Sequence, residues 1–405
     1  MKFEAKRLGD IAEIIGGGTP STKDPSNWDG DIPWLTPKDL SSFEGIYVDR
    51  GSRSITEQGF KTSSAKMLPV GAVLYTSRAP IGYVAIATNS ISTNQGFKSL
   101  ILKDGYVPEF VFYLLKASKS EIESHASGGT FAEISAKALS DVVLQFPPKI
   151  QQEAIAKLLK SLDEKIATNN ALSKTLEGIA QTIFKSWFID FDPVKAKMAG
   201  EKPVGMDAAT AALFPDSIVE SELGLIPKGW GVRSIGDSVV KQKVGKLFDS
   251  KTTFPSGSTP VLDQGKSGVV GFHDEEPGVF ASPDTPLVVF ANHTCSLRLI
   301  SYPFSVIQNV FPLMGNQVDV IWLYFAVEGK QRFDSYKGHW PDFVLHKIIQ
   351  PPEKSTQVFR KIVEPLLKQK WLLEQQSKIL GNLRDSLLPR LISGELQIPD
   401  EMLAS

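Results

Sequence analysis

The sequence predicts an α+β protein: two mixed α/β domains in tandem, each followed by a long helix. The two helices are expected to pack as an antiparallel coiled coil about a pseudo-two-fold axis. Three observations predict this. The first is a long internal repeat. Lys6-Arg7-Leu8-Gly9-Asp10 opens the chain and recurs as Arg233-Ser234-Ile235-Gly236-Asp237, and Pro147-Pro148 recurs as Pro351-Pro352. The second is the step of three and four between apolar residues behind each proline pair, the seam of a coiled coil. Ile155, Leu158, Leu162, Leu176, Ile179 and Ile183 correspond in phase to Phe359, Ile362, Leu366, Leu380, Leu383 and Leu387. The third is the texture ahead of those helices, where short β-rich runs alternate with loops rich in Gly, Pro, Ser and Thr.

Taken in order, residues 1–148 form the first domain, with strands expected at Val70–Thr76 and Tyr83–Ala87 and a helical pattern at Pro108–Ala117. Residues 149–191 hold the first long helix, centred on Gln151 to Trp187, about 50 Å at 1.5 Å per residue. Residues 192–230 are rich in Pro, Gly, Ala and Asp and predict a connector with one helical turn at Ala208–Leu213. Residues 231–350 repeat the first domain's texture, with Leu287-Val288-Val289-Phe290 as the clearest strand and a helical pattern at Val318–Val327. Residues 351–396 hold the second long helix, centred on Ser355 to Leu391, with Pro365 expected to bend it or mark its effective start. Lys165 and Asn169 interrupt the first seam, and Gln369 and Gln376 the second. Polar seam residues of this kind can fix register at a cost in stability.

Composition bounds the class. With 405 residues, 42% of them apolar, the chain is long enough for two or three packed domains. No apolar run approaches the roughly 20 residues that span a bilayer, and Met1 to Arg7 lacks the apolar stretch of a secretory signal. The single cysteine, Cys295, excludes an internal disulfide and a multi-cysteine metal site. The expectation is a reducing, cytoplasmic compartment. The 44 basic and 45 acidic side chains leave a net charge of −1. A domain that coats nucleic acid indiscriminately is strongly basic, so any nucleic-acid role requires basic groups segregated on particular faces or shared with partners.

No catalytic constellation emerges. Asp190-Phe191-Asp192-Pro193-Val194 has only one feature of an adenine methyltransferase motif. Gly265-Lys266-Ser267 resembles the end of a P-loop, but Pro260 stands where the first glycine is required. There is no His-Glu-x-x-His among five scattered histidines. His273 beside Asp274-Glu275-Glu276 reads as a solvated acidic turn rather than a metal site. His293 near Cys295 lacks the orienting third group of a nucleophilic pair. The expectation is a non-enzymatic chain with no metal and no bound cofactor. Two similar domains on a stiff helical spacer suit a quasi-repeating ligand such as DNA, with half-sites about 34 Å apart. A scaffold joining two identical protein partners suits the architecture equally.

Several stretches carry a family resemblance. They are Leu8-Gly9-Asp10 to Gly16-Gly17-Gly18-Thr19-Pro20, Asp29-Gly30-Asp31-Ile32-Pro33-Trp34-Leu35-Thr36, and Thr76-Ser77-Arg78-Ala79-Pro80-Ile81-Gly82. The central block runs from Ser186-Trp187-Phe188-Ile189-Asp190-Phe191-Asp192-Pro193-Val194 through Gly205-Met206-Asp207 and Ala211-Ala212-Leu213-Phe214-Pro215-Asp216. It ends at Ser221-Glu222-Leu223-Gly224-Leu225-Ile226-Pro227-Lys228-Gly229-Trp230, and the tail adds Leu388-Pro389-Arg390-Leu391-Ile392-Ser393-Gly394-Glu395-Leu396. With these, the chain resembles the DNA-specificity (S) subunit of type I restriction–modification systems over essentially its whole length. The resemblance implies two target-recognition domains, each reading one part of a split site on double-stranded DNA. It implies helices that set the gap and dock two modification (methyltransferase) subunits carrying S-adenosylmethionine for N6-adenine methylation. Added restriction subunits would use ATP and Mg²⁺ to translocate and cleave. Competing readings are a single-chain nuclease or methyltransferase and a coiled-coil scaffold without DNA specificity.

Direct readout needs forked donors at base edges, while Lys, Ser and Thr more often hold phosphates. In the first domain the candidates are Lys38, Arg53, Lys61, Thr62, Ser63, Lys66, Ser77 and Arg78. In the second they are Lys241, Lys243, Lys246, Gln264, Lys266, Asn292, His293, Arg298, Tyr336, Lys337, His339 and Trp340. Trp187, Phe188, Phe191 and Trp371 are aromatic candidates for partner docking, with packing on the adjacent domain as the alternative. Trp34 and, in that alternative, Trp187 are expected in the core.

Overall fold

A computed structural model describes residues 3–128, 132–265 and 268–399. The chain divides into two compact units, residues 1–169 with 376–405, and residues 170–375.

The first unit opens on a two-stranded antiparallel ladder, Glu4–Arg7 against Val143–Phe146. The chain leaves the ladder through a single helical turn, Leu8–Ile11, and enters a five-stranded sheet. The sheet's order is Ala12–Gly16, Lys98–Leu102, Val73–Ser77, Ile81–Ala87 and Tyr47–Val48. A smaller three-stranded sheet, ordered Arg53–Ile55, Trp28–Leu35 and Ser92–Thr93, forms a separate lobe around Trp28, Trp34, Ile55 and Ala65. The helix Pro108–Ala117 buries Phe110 through Leu115, so it is apolar on nearly every side and lies within the core.

The second unit repeats this plan. Gly231–Ser234 pairs antiparallel with Lys347–Gln350, and one turn, Ile235–Ser238, leads into a sheet ordered Val239–Lys241, Val310–Gly315, Leu287–Ala291 and Leu297–Ile300. A second sheet holds Leu247–Phe248, Ser305–Ile307, Thr259–Leu262 and Val269–His273. The buried helix here is Val320–Val327. The repeated Leu-Gly-Asp and Ile-Gly-Asp turns have a packing reason. A Cβ on Gly9 would fall 2.0 Å from Ser140 Oγ, and one on Gly236 would fall 3.2 Å from Val344 Cβ. The first turn has no room for a side chain against the short helix that precedes the closing strand, and the second is tight at the same place.

Each closing strand runs into a proline pair and then a 40-residue helix, Lys149–Phe188 or Glu353–Ile392. At 1.5 Å per residue each helix is about 60 Å long. In the first unit Ile155, Ala156 and Leu159 share a core with Leu391 and Ile392. There Asp163 accepts hydrogen bonds from Arg384 and, at 2.6 Å, from the Tyr113 hydroxyl. In the second unit Ala180, Phe184, Trp187 and Phe188 pack with Phe359, Val363, Leu367 and Trp371, and Lys370 pairs with Glu177 at 3.7 Å.

Four expectations need correction. The second helix does not start at Pro365 but runs through it from Glu353: Lys361, whose carbonyl loses its partner there, is exposed and available to water. Of the four polar seam residues only Asn169 is buried; Lys165, Gln369 and Gln376 face solvent. The connector is more ordered than its composition predicts, with helices Asp192–Met198 and Ala208–Ala211 and a hairpin of Ile218–Ser221 with Gly224–Pro227. Finally, Trp187, Phe188 and Trp371 cannot anchor a partner as free surface, because they are buried in the second unit's core. Phe188 alone meets Phe184, Trp187, Phe214, Trp230, Trp322 and Phe359 at centroid distances of 5.3 to 6.4 Å. Phe191 is half-buried edge-on to Trp230. Apolar burial within the chain consumes these rings.

Phe188→Ala is therefore expected to remove about 3–5 kcal/mol of stability, read as a lowered unfolding midpoint in urea. A variant that unfolds like wild type but fails only to bind partner subunits would restore the docking role.

Candidate nucleic-acid interface

The first unit's small lobe is pinned before it presents any cation. Asp39 accepts from the Thr36 amide (2.8 Å), the Thr36 hydroxyl (2.6 Å) and the Ser52 amide (2.9 Å). Burial opposes its ionisation, but the bonds from Thr36 and Ser52 outweigh it and hold the carboxyl below the usual carboxylate range. A charged Asp39 thus ties the turn carrying Lys38 to the loop leading into Arg53. Lys38 and Lys66 are exposed. Arg53 is exposed with its guanidinium carbon 3.6 Å from the centroid of the Trp28 ring. Lys61 is exposed but pairs with Glu57 at 2.8 Å. The Thr62 hydroxyl donates to Gln58 O, and that of Ser63 to Phe60 O. Arg78 is half-exposed and paired with Glu133 at 3.2 Å.

The second unit offers a different set. Lys241 lies over two rings, Phe311 at 3.9 Å and Trp340 at 3.8 Å, and burial pulls its pKa down. Lys243 is exposed. Lys246 is ion-paired with Glu275 and lies over Phe248. Tyr336 is 87% exposed and stacks on His293 at 5.4 Å, the most open aromatic face among the candidates. Lys337 is held between Asp334 (3.3 Å) and Asp342 (3.0 Å). Lys266 lies outside the described residues.

Six candidates instead stabilise the loops. Ser77 is fully buried and donates to Gly96 O. His339 is fully buried, with Nε2 at 3.0 Å from Ser335 O. Asn292 is buried, and its Oδ1 accepts from the Trp340 amide at 2.7 Å. Gln264 donates to Gln308 O and accepts from the His293 amide. Arg298 spends its fork on two carbonyls, Asp263 O and Gly268 O, each at 2.6 Å. Trp340 packs against Phe290, Phe311 and Phe343. The physical reason is common to them: a closed loop leaves backbone groups that need partners, and these side chains supply them or the apolar support beneath. Contact with DNA is corrected for Ser77, His339 and Asn292, which have almost no surface to offer.

Residues 1–178 match the family described as type I restriction modification DNA specificity domain. The chain is 33% identical to the type I restriction enzyme MjaIX specificity subunit of Methanocaldococcus jannaschii, over 98% of this chain and 94% of that protein. It belongs to the type I specificity-subunit family. The HindI specificity subunit of Haemophilus influenzae is 26% identical over 72% of this chain and 78% of its own. A crystallised S subunit of a type I restriction–modification system from M. genitalium has the same fold. Its TM-score is 0.60 at 17% identity, covering 97% of this chain and 96% of that one.

A specificity subunit recognises DNA and leaves the chemistry to others, and the conspicuous side chains fit that division. Both ring nitrogens of His273 serve the fold, Nε2 at 2.9 Å from Ser305 Oγ and Nδ1 accepting the Glu275 amide. Burial pushes the Cys295 thiol up, away from the thiolate a nucleophile requires. Among the described residues, no group of three or more His, Cys, Asp or Glu is placed to hold a metal ion, and no helix is long and apolar enough to cross a membrane. Sequence reasoning missed Trp28 and Asp39, the platform and the tether of the small lobe. The Thr36-Pro37-Lys38-Asp39 spacing of a capping box was the available signal for Asp39.

In the assembled complex, Lys38→Ala and Lys66→Ala should each flatten the plot of log affinity against log salt by about 1, with the preferred sequence unchanged. Ser77→Ala should leave that slope as it is. An unchanged slope in both lysine variants would remove them from the interface.

Proposed function

We propose that this subunit reads a bipartite target on double-stranded DNA through two target-recognition domains, residues 1–148 and 231–350. The two long helices act as the spacer between the half-sites. The observation that carries this reading is the duplicated junction: in each unit one antiparallel ladder opens and closes the mixed domain, and a proline pair then hands the chain to a 40-residue helix. Antiparallel pairing of the helices is supported by Asp163–Arg384 and Glu177–Lys370, whose residue numbers total the same value in both pairs.

In this reading the interface comprises Lys38, Arg53, Lys66, Lys243 and Tyr336 directly, with Lys61, Arg78, Lys246 and Lys337 able to exchange a carboxylate for a phosphate. Net charge of −1 is tolerable because partner subunits share the phosphate contacts that dominate affinity. Two modification subunits dock on the helices, where Leu172, Ile179, Leu372, Ile379 and Leu383 remain exposed in place of the buried aromatics. These partners carry S-adenosylmethionine for N6-adenine methylation. In a system that also cleaves, two restriction subunits use ATP and Mg²⁺; this chain holds no cofactor. Cytoplasmic residence follows from such partners.

The test is methylation sequencing of DNA from a host expressing this chain with its modification subunit. The expected result is a split motif with N6-methyladenine in both halves. Exchange of residues 1–148 for another such domain should change one half only. A motif that changes in both halves, or none from a stable complex, would overturn the bipartite reading in favour of a scaffold.

A further inference from the structure

Arg53 stands apart from the other arginines of its unit. Arg7 pairs with Asp141 at 2.7 Å, Arg50 with Asp49 at 3.2 Å, Arg78 with Glu133 at 3.2 Å and Arg390 with Glu395 at 3.0 Å, and Arg384 pairs with Asp163. Among the described residues of that unit, Arg53 is the one arginine without a carboxylate. It has an indole instead. At 3.6 Å from the ring centroid the guanidinium is in van der Waals contact with the face of Trp28. Stacking uses the face of the fork and leaves its N–H edge for another acceptor.

The platform is rigid. Trp28 is buried, its indole N–H donates to Ser21 O at 3.2 Å, and it meets Trp34 edge-on at 5.1 Å. Trp34 donates to Gly18 O at 2.9 Å. The backbone is fixed as well. Arg53 lies opposite Trp34 in the ladder, while Ile55 faces both Ile32 and Trp28 across a bulge. Asp29 in that bulge has φ of 60°, and the next residue must be small, because a Cβ on Gly30 would fall 2.6 Å from Thr56 Cα. The bulge brings Trp28 beside Arg53. Ser52, the preceding residue, is tied to Asp39. An exposed arginine ordinarily loses much rotamer freedom on binding; this one has lost part of it already.

We propose that Arg53 is a specificity-determining residue of the first recognition domain, donating two hydrogen bonds to O6 and N7 of one guanine in the major groove. The inference rests on the proposed reading of that unit as a DNA-recognition domain. Guanine is the base whose major-groove edge offers two acceptors matched to the guanidinium fork. Phosphate attraction requires charge but no aimed plane, and flexible Lys38 and Lys66 already supply charge in the same unit. An aromatic platform that aims the fork is superfluous for a phosphate and useful for a base.

The test uses the complete complex with its modification subunits, after exchange of residues 1–148 has identified which half-site this unit reads. In that half-site each guanine is replaced in turn by 7-deazaguanine, which lacks the N7 acceptor. One position should weaken wild-type binding about tenfold or more, and Arg53→Ala, which has no donor for N7, should no longer sense that replacement. Methylation sequencing of the Arg53→Ala and Arg53→Gln complexes should show the guanine requirement relaxed at that position and the other half unchanged. A half-site without guanine on either strand would overturn the proposal, as would one in which no deaza substitution matters. An unchanged motif with uniformly weaker methylation would make Arg53 a phosphate contact. The wild-type measurements can overturn the proposal even if the variants fail to assemble. A wild-type complex with no motif at all would instead defeat the DNA-recognition reading.

Discussion

The two long helices need burial they cannot supply to one another. Their apolar stripe is narrow and their remaining surface is charged, so helix propensity and i, i+4 pairs alone would leave them marginal. Each unit provides the missing burial at its own segment of the two helices. In the first, Ile155 and Leu159 share a core with Leu391, Ile392 and the strands and helices around Phe110. In the second, Phe184 and Phe188 share one with Phe359, Trp371 and Trp322. The mixed domains are therefore structural partners of the helices. Aromatics concentrated at one helix end belong to this packing.

The fold was largely legible in the sequence because it is written twice. The Leu-Gly-Asp and Ile-Gly-Asp turns, the proline pairs and the heptad step are punctuation that one backbone plan demands at equivalent places, and coincidence cannot imitate it at this length. The connector was harder to read. Its Pro, Gly and Ala content predicts a loop, yet local caps such as Asp207 on the Thr210 amide and a short hairpin give it structure. Family membership rests on identity along the whole chain, a stronger signal than any motif considered alone.

The interface was far less legible, for a reason visible in two arginines. Arg53 and Arg298 are both candidate DNA contacts in the sequence. In the structure one lies on an indole with its edge open, while the other is folded back onto two carbonyls. Whether a polar side chain faces outward depends on which backbone groups nearby lack partners, and that is decided by tertiary contacts distant in sequence. The same reasoning separates Lys38 from Ser77, and Tyr336 from His339.

The paired ladders have one more consequence. Glu4–Arg7 and Val143–Phe146 are neighbours, so everything between them departs from and returns to a single place. The ladder Gly231–Ser234 with Lys347–Gln350 closes the second excursion in the same way. The helix that follows meets the excursion through the ladder, the proline pair and the buried helix packed beneath it, Pro108–Ala117 in the first unit and Val320–Val327 in the second. Loops of either domain that lie away from this packing can lengthen or shorten without moving the point at which the chain rejoins the helix.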